Sequence, residues 1–194
     1  MTVAPRLSAV RPARPGHVLL ELDGRAWRTV PENVAVRCRL VPGLELGRPV
    51  LRSLRRELRR TDALAGAGRV LARRDVSTRR LRERLARAPL APADVREAVA
   101  TLADLGVLDD RRLAAKRAAA LAERSWGDAA ILARLAEEGL SEEDARAAVA
   151  GLAPEEERAR VLLAREPEAR RGALRLAQRG FSSETIEGAV GPLE

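Results

Sequence analysis

Seven residues recur in this chain at a fixed spacing of 50 positions. Leu81 answers to Ile131, Leu85 to Leu135, Leu90 to Leu140, Asp94 to Asp144, Arg96 to Arg146, Val99 to Val149 and Leu102 to Leu152. A shorter third copy follows at an offset of 41, matching Leu135 to Leu176, Gly139 to Gly180, Leu140 to Phe181, Ser141 to Ser182 and Val149 to Val190. Units of this size cannot each bury an apolar face alone, so they stack on their neighbours. The expected fold is mainly α: tandem three-helix repeats forming an elongated array, preceded by a small N-terminal extension that contains a β-hairpin. Helices are expected near 63–74, 78–87 and 92–105, then 110–124, 128–138 and 142–151, then 155–165, 168–179 and 183–190. The expected divisions are a disordered tail over 1–16, a hairpin plus Arg-rich helix over 17–62, and repeats over 63–110, 111–153 and 154–194.

The palette suits many thin cores. Of 194 residues 46% are hydrophobic but only 2% aromatic, so Leu, Val and Ala must do the filling. The single cysteine, Cys38, excludes an intramolecular disulfide and any multi-cysteine metal site, and reads as a small core filler. Pro5, Pro12 and Pro15 alternate with Arg6, Arg11 and Arg14 at the N-terminus, with no apolar stretch of a secretory signal. No apolar run approaches the roughly 20 residues that span a bilayer. A soluble cytoplasmic monomer without membrane contact is expected.

Residues 17–30 differ from the rest. His17–Leu22, Asp23-Gly24 and Arg25–Val30 read as a hairpin, because Asp-Gly tolerates the positive φ angles of a two-residue turn. Pro31–Leu40 follows as a short helix, Val41-Pro42-Gly43 as a turn and Leu44–Leu46 as a short extended piece. The Arg-rich helix starts near Pro49, since proline suits a first helical turn.

Charge is unevenly spread. Residues 51–90 hold 13 Arg against 4 acids, whereas 91–157 hold 8 basic residues against 15 acidic ones. Within the basic block, Leu51, Leu54 and Leu58 share one helix face while Arg52, Arg55, Arg56, Arg59 and Arg60 share another. Arg80, Arg84 and Arg87 form a second row. Guanidinium groups contact phosphates and carboxylates alike, so such rows fit nucleic acid or an acidic protein surface. With no Tyr, one Phe and two Trp, base-stacking platforms are few, and any DNA contact should run through the backbone and be salt-sensitive.

No catalytic constellation is present: one His and one Cys, far apart, make no nucleophile–base pair. Nor is there a Gly-rich phosphate cradle, and no cofactor or metal is expected. Asp109 and Asp110 would point about 100° apart on a helix, which is poor geometry for paired acid–base chemistry. Asp109 reads as a helix cap, with Asp110 complementing the dipole or meeting a partner. Gly106 supplies the preceding helix stop, Ser77 caps the helix at 78, and Gly139 and Gly180 end helices in the left-handed region. Pro89 replaces that glycine in the first copy, so its turn must differ. Trp126 reads as packed between units or as an exposed anchor, with Gly127 at a cap. Phe181 is core.

The ordered set Arg74-Asp-Val-Ser77, Leu81, Gly106-Val-Leu108-Asp109-Asp110, Trp126-Gly127 and Gly180-Phe181-Ser182 resembles the RecX family of recombination regulators, over roughly residues 63–190. The upstream Asp23-Gly24, Pro31-Glu32-Asn-Val34 and Leu40-Val-Pro-Gly43 look like an extension found in that family. Leu113-Ala114 departs from the pattern, which commonly has an aromatic followed by alanine there. The resemblance implies a non-enzymatic modulator of the RecA recombinase that binds its filament on single-stranded DNA. Such a protein restrains ATPase, strand exchange and coprotease functions in homologous recombination, DNA repair and the SOS response. On that reading Arg55, Arg56, Arg59, Arg73, Arg79, Arg80 and Arg84 are the candidate contacts to RecA or to single- or double-stranded DNA. The competing expectation is a helical-repeat protein that binds DNA directly, without RecA.

Overall fold

The computed structural model describes residues 4–164 and 168–190. Among them are three strands, β1 (Leu7–Pro12), β2 (His17–Leu22) and β3 (Arg25–Pro31), and ten helices. The helices are α1 (Glu32–Arg37), α2 (Arg48–Leu71), α3 (Thr78–Leu85), α4 (Pro92–Asp104), α5 (Asp110–Glu123), α6 (Asp128–Glu137), α7 (Glu142–Ala150), α8 (Glu155–Leu163), α9 (Ala169–Gln178) and α10 (Ser183–Val190). The helix starts reproduce the sequence offsets: Thr78 to Asp128 and Pro92 to Glu142 are 50 apart, Asp128 to Ala169 and Glu142 to Ser183 are 41 apart. Residue 165, the expected end of α8, lies outside the described residues. No described helix is long and apolar enough to cross a membrane.

The chain divides into two compact units, residues 1–70 with 85–98 and residues 71–84 with 99–194. In the first, an antiparallel sheet in the order β1-β2-β3 is closed by a turn in which Asp23 and Gly24 both take positive φ, 48° and 81°. Its core gathers Leu7, Leu20, Val30, Val34, Ala35, Leu40, Leu46 and Leu54, with Cys38 packed at the margin. Burial pushes the Cys38 thiol pKa up, and the Ser53 hydrogen bond only partly offsets it, so the thiol is held in its neutral form.

Two expectations are corrected here. The tail over 1–16 is not disordered through its length: Leu7–Pro12 is a strand, paired with β2 from Leu7↔Leu22 to Pro12↔Val18. Leu7 is fully buried, and Ser8 Oγ accepts from the Gly24 amide at 2.9 Å, tying the strand to the hairpin turn. Prolines are tolerated because Pro12 ends an edge strand, where a missing N–H costs no ladder bond. The boundary expected at 62/63 also falls inside one helix. Nothing over Arg48–Leu71 breaks the backbone ladder, and burial of Leu54, Ala63 and Ala67 continues one apolar stripe through the proposed division.

In the second unit, α5, α6 and α7 surround a core of Leu113, Ala114, Ala118, Ile131, Leu135, Leu140, Ala145 and Ala148. A smaller one is formed by Ala159, Leu162, Leu176 and Phe181 from the last repeat. Leu81, Ile131, Leu135 and Leu176, the positions that define the repeat, are all fully buried. Removing such a leucine side chain costs about 2–5 kcal/mol, which is why the register persists.

Candidate interaction surfaces

The glycine and aspartate motifs build joints between successive helices of the second unit. Asp109 caps its own helix, accepting the Arg112 amide at 2.8 Å. Asp110 does something else: its Oδ1 accepts the Thr78 amide at 2.9 Å and the Thr78 hydroxyl at 3.2 Å, capping α3 from 32 residues away. The next junction repeats the device. Glu155, first residue of α8, accepts the Asp128 amide at 2.7 Å and so caps α6. Its other oxygen accepts the Thr185 hydroxyl at 2.8 Å and the Ser182 amide at 3.2 Å. Burial pushes the Glu155 carboxyl up, but these hydrogen bonds outweigh it and leave the pKa below the usual range. Asp128 goes the other way. Burial raises its pKa, and the Arg158 guanidinium bonded to it does not compensate.

The opposite half of each joint closes helix C-termini. Ser77 caps α3 through the Arg80 amide and donates its hydroxyl to the Glu138 carbonyl at 2.6 Å. One repeat later the Gly127 amide donates to the Arg179 carbonyl at 2.9 Å. A Cβ on Gly127 would lie 2.2 Å from the Gly180 oxygen, so no side chain fits there. Gly180 itself has φ +75° and ends α9, with the Phe181 amide returning to the Leu176 carbonyl. Gly106 stops α4 in the same way, the Val107 amide reaching the Leu102 carbonyl, and Leu108 is buried behind it. Pro89 stands in a turn without a left-handed residue, where the Ala88 amide returns to the Leu85 carbonyl. Trp126 packs half-buried on the α5–α7 core, with the guanidiniums of Arg134 and Arg179 lying 4.2 and 5.1 Å from its ring centroid.

The arginines singled out from sequence fall into two groups. Arg55, Arg56, Arg73 and Arg84 are exposed and enter no ion pair among the described residues. Arg55 and Arg56 share a shallow depression on α2 with Pro49, Arg52, Ser53 and Arg59. The other three are partly committed. Arg59 Nε holds the buried Asp94 carboxylate at 3.0 Å. Arg79 Nη2 donates to the Ala136 carbonyl at 3.1 Å and its Nε lies 3.7 Å from Glu83. Arg80 donates to the Glu137 carbonyl. A guanidinium has five donors, so each keeps some for a partner.

A second cationic surface was not anticipated. In the second unit Arg80, Arg117, Arg124 and Arg134 line a concavity of about 310 Å³ with Ala120, Leu121, Glu137 and Glu138. Arg117 spends its Nε on Glu138 at 3.1 Å. Three of these arginines lie in the stretch whose net charge is negative, so block counting hid them. Folding gathers them because α5 and α6 each present an arginine on the same side. An i, i+7 pattern at Arg117 and Arg124 was the available signal. No group of three or more His, Cys, Asp or Glu among the described residues could hold a metal ion.

No family model matches the chain. It is 37% identical over 131 residues to the regulatory protein RecX of Chromohalobacter salexigens, a match covering 63% of this chain and 86% of that one. A crystal structure of a regulatory protein RecX superposes with a TM-score of 0.80 at 22% identity, covering 95% of this chain and 98% of the other. The RecX crystal structure from Lactobacillus salivarius gives a TM-score of 0.62 at 15% identity, over 68% of this chain and 94% of that one. The two structures share its fold, and the sequence match reaches most of its relative. The chain belongs to the RecX family of regulatory proteins.

Proposed function

We propose that this protein binds RecA filaments on single-stranded DNA and restrains their ATPase, strand-exchange and coprotease activities through contact rather than catalysis. Its place of action is then the cytoplasm, with RecA and the chromosome. Membership in a family of regulatory proteins supports the reading. The observation that carries it at residue level is the exposed row Arg52, Arg55 and Arg56 on α2, which has no acidic partner among the described residues. An uncompensated row is available to phosphate or to an acidic protein surface, whereas a paired one is spent. Arg59 of the same unit keeps donors to spare, and in the second unit Arg73 and Arg84 are exposed and unpaired among the described residues, with Arg79 and Arg80 partly free. Co-sedimentation with RecA assembled on single-stranded DNA, beside the RecA ATPase rate, tests this. Binding with a lowered rate supports it. Absence from the pellet with an unchanged rate rejects it, and tight binding to bare duplex DNA under the same salt favours direct DNA binding without RecA.

A further inference from the structure

The N-terminal sheet carries an exposed tryptophan, Trp27. We propose that Trp27 on β3, with Arg25 and Arg28, forms a contact site for single-stranded nucleic acid that works without RecA.

Five successive residues of β3, Arg25 to Thr29, are exposed, and only Val30 is buried. A strand on a core alternates between buried and exposed positions, so this run has solvent on both faces. The register explains part of it. Leu20 pairs with Arg28 and Glu21 with Ala26, so Trp27 is the extra residue of a bulge, a device that re-aims side chains. Trp27 is 40% exposed. β3 also pairs only with β2, which leaves it an edge strand of the sheet.

Surrounding charge selects the partner. Arg25 and Arg28 enter no ion pair among the described residues. Of the nearby acids, Glu21 is ion-paired with Arg11 Nε at 2.8 Å, while Asp23 is turned to the Arg6 amide, which its Oδ1 accepts at 3.1 Å. Along β3, then, the exposed indole is preceded by Arg25 and followed by Arg28, both exposed and neither ion-paired among the described residues. A protein-binding hot spot normally sits in a larger apolar patch. Here the neighbours are Arg, Ala and Thr, and no other large apolar side chain of β3 is exposed. An indole flanked by cations suits a base face bordered by phosphates. Duplex DNA keeps its base faces stacked inside, so the partner is single-stranded. Trp126 cannot substitute, since Arg134 and Arg179 already lie against its ring.

The test needs no RecA, so its outcome is separable from the regulatory reading. Binding of a dye-labelled oligothymidylate is followed by anisotropy at low salt. Trp27→Ala should weaken it about ten-fold, in the range expected for loss of one stacked base. Trp27→Phe should retain most of it, and Arg25→Glu with Arg28→Glu should weaken it further and flatten the salt dependence. In a Trp126→Phe background, where Trp27 is the one remaining tryptophan, the oligonucleotide should quench the emission. Unchanged affinity in Trp27→Ala, or unchanged emission on saturation, overturns the proposal.

Discussion

Asp110 Oδ1 accepts both the amide and the hydroxyl of Thr78, so the last residue of the Gly-Val-Leu-Asp-Asp motif caps a helix that begins 32 residues before it. A motif that reads as local punctuation is thereby a tie between elements. Loss of a cap typically costs about 1 kcal/mol, and this one also strands the Thr78 amide at a part-buried site. Asp110→Ala should therefore destabilise the chain by about 1–2 kcal/mol. Asp110→Asn, which keeps the acceptor, should cost less. Urea denaturation midpoints measure both, and equal losses would contradict the hydrogen-bond account.

The close approach of Gly127 to Gly180 gives a sharper expectation. A methyl on Gly127 would meet backbone atoms at 2.2 and 2.3 Å, and backbone cannot swing aside as a flexible side chain does. Gly127→Ala should cost about 2 kcal/mol or more. Gly188→Ala, where a Cβ meets nothing within 4 Å, is the control and should leave stability level or raise it. Thermal unfolding of the two variants decides it.

Legibility of the fold from sequence followed the range of the interactions. Helix starts were readable because their signals are local: Ser77, Asp109 and Ser141 each accept an amide three residues on. The second role of Asp110 was not readable, since its partner lies in another helix. β1 was hidden because Pro5, Pro12 and Pro15 gave the first sixteen residues the look of a disordered segment, while Leu7 alone among the described ones supplies a fully buried anchor. Equivalent residues also diverge. Asp144 sits in a cap with Ser141, but Asp94 has Ala91 in that place and takes Arg59 instead. Among the candidate contacts, the sequence exposed the α2 row and concealed the Arg117–Arg124–Arg134 cluster, which exists only once α5 and α6 are packed.

Arg59 should behave differently from its neighbours. Its removal leaves the buried Asp94 carboxylate without a partner, whereas Arg55 and Arg56 have none to abandon. Arg59→Ala should lower stability by about 1–3 kcal/mol, less than a fully buried pair because Arg59 is half exposed. Arg55→Ala and Arg56→Ala should stay within about 0.5 kcal/mol of the parent. Chemical denaturation of the three single variants checks the ordering, and equal stability of all three would contradict it.

Glu155 ties the second joint to pH. Its folded pKa lies below the ordinary glutamate value, so its contribution to stability is present above the unfolded value of about 4.3 and is lost as pH falls through the folded one. Asp128 has the opposite sign: its raised pKa means that protonation on acidification relieves a buried charge. Stability of the parent should therefore fall on the acid side of the ordinary glutamate range. Glu155→Gln should be less stable at neutral pH and should lose part of that acid slope. Denaturation curves across a pH series measure it, and parallel pH profiles would count against the role assigned to this carboxylate.

The regulatory reading turns on whether the uncompensated arginines are the contact. The most direct measurement is the ATPase rate of RecA on single-stranded DNA, titrated with the parent chain and with the Arg55→Glu, Arg56→Glu, Arg84→Glu triple variant. None of these three side chains holds an acid among the described residues, so the variant should fold as the parent does. The parent should lower the rate, with the variant requiring at least about ten-fold more protein for the same effect. Equal inhibition by a folded variant would contradict the assignment of these arginines, and no inhibition by the parent would contradict the function itself.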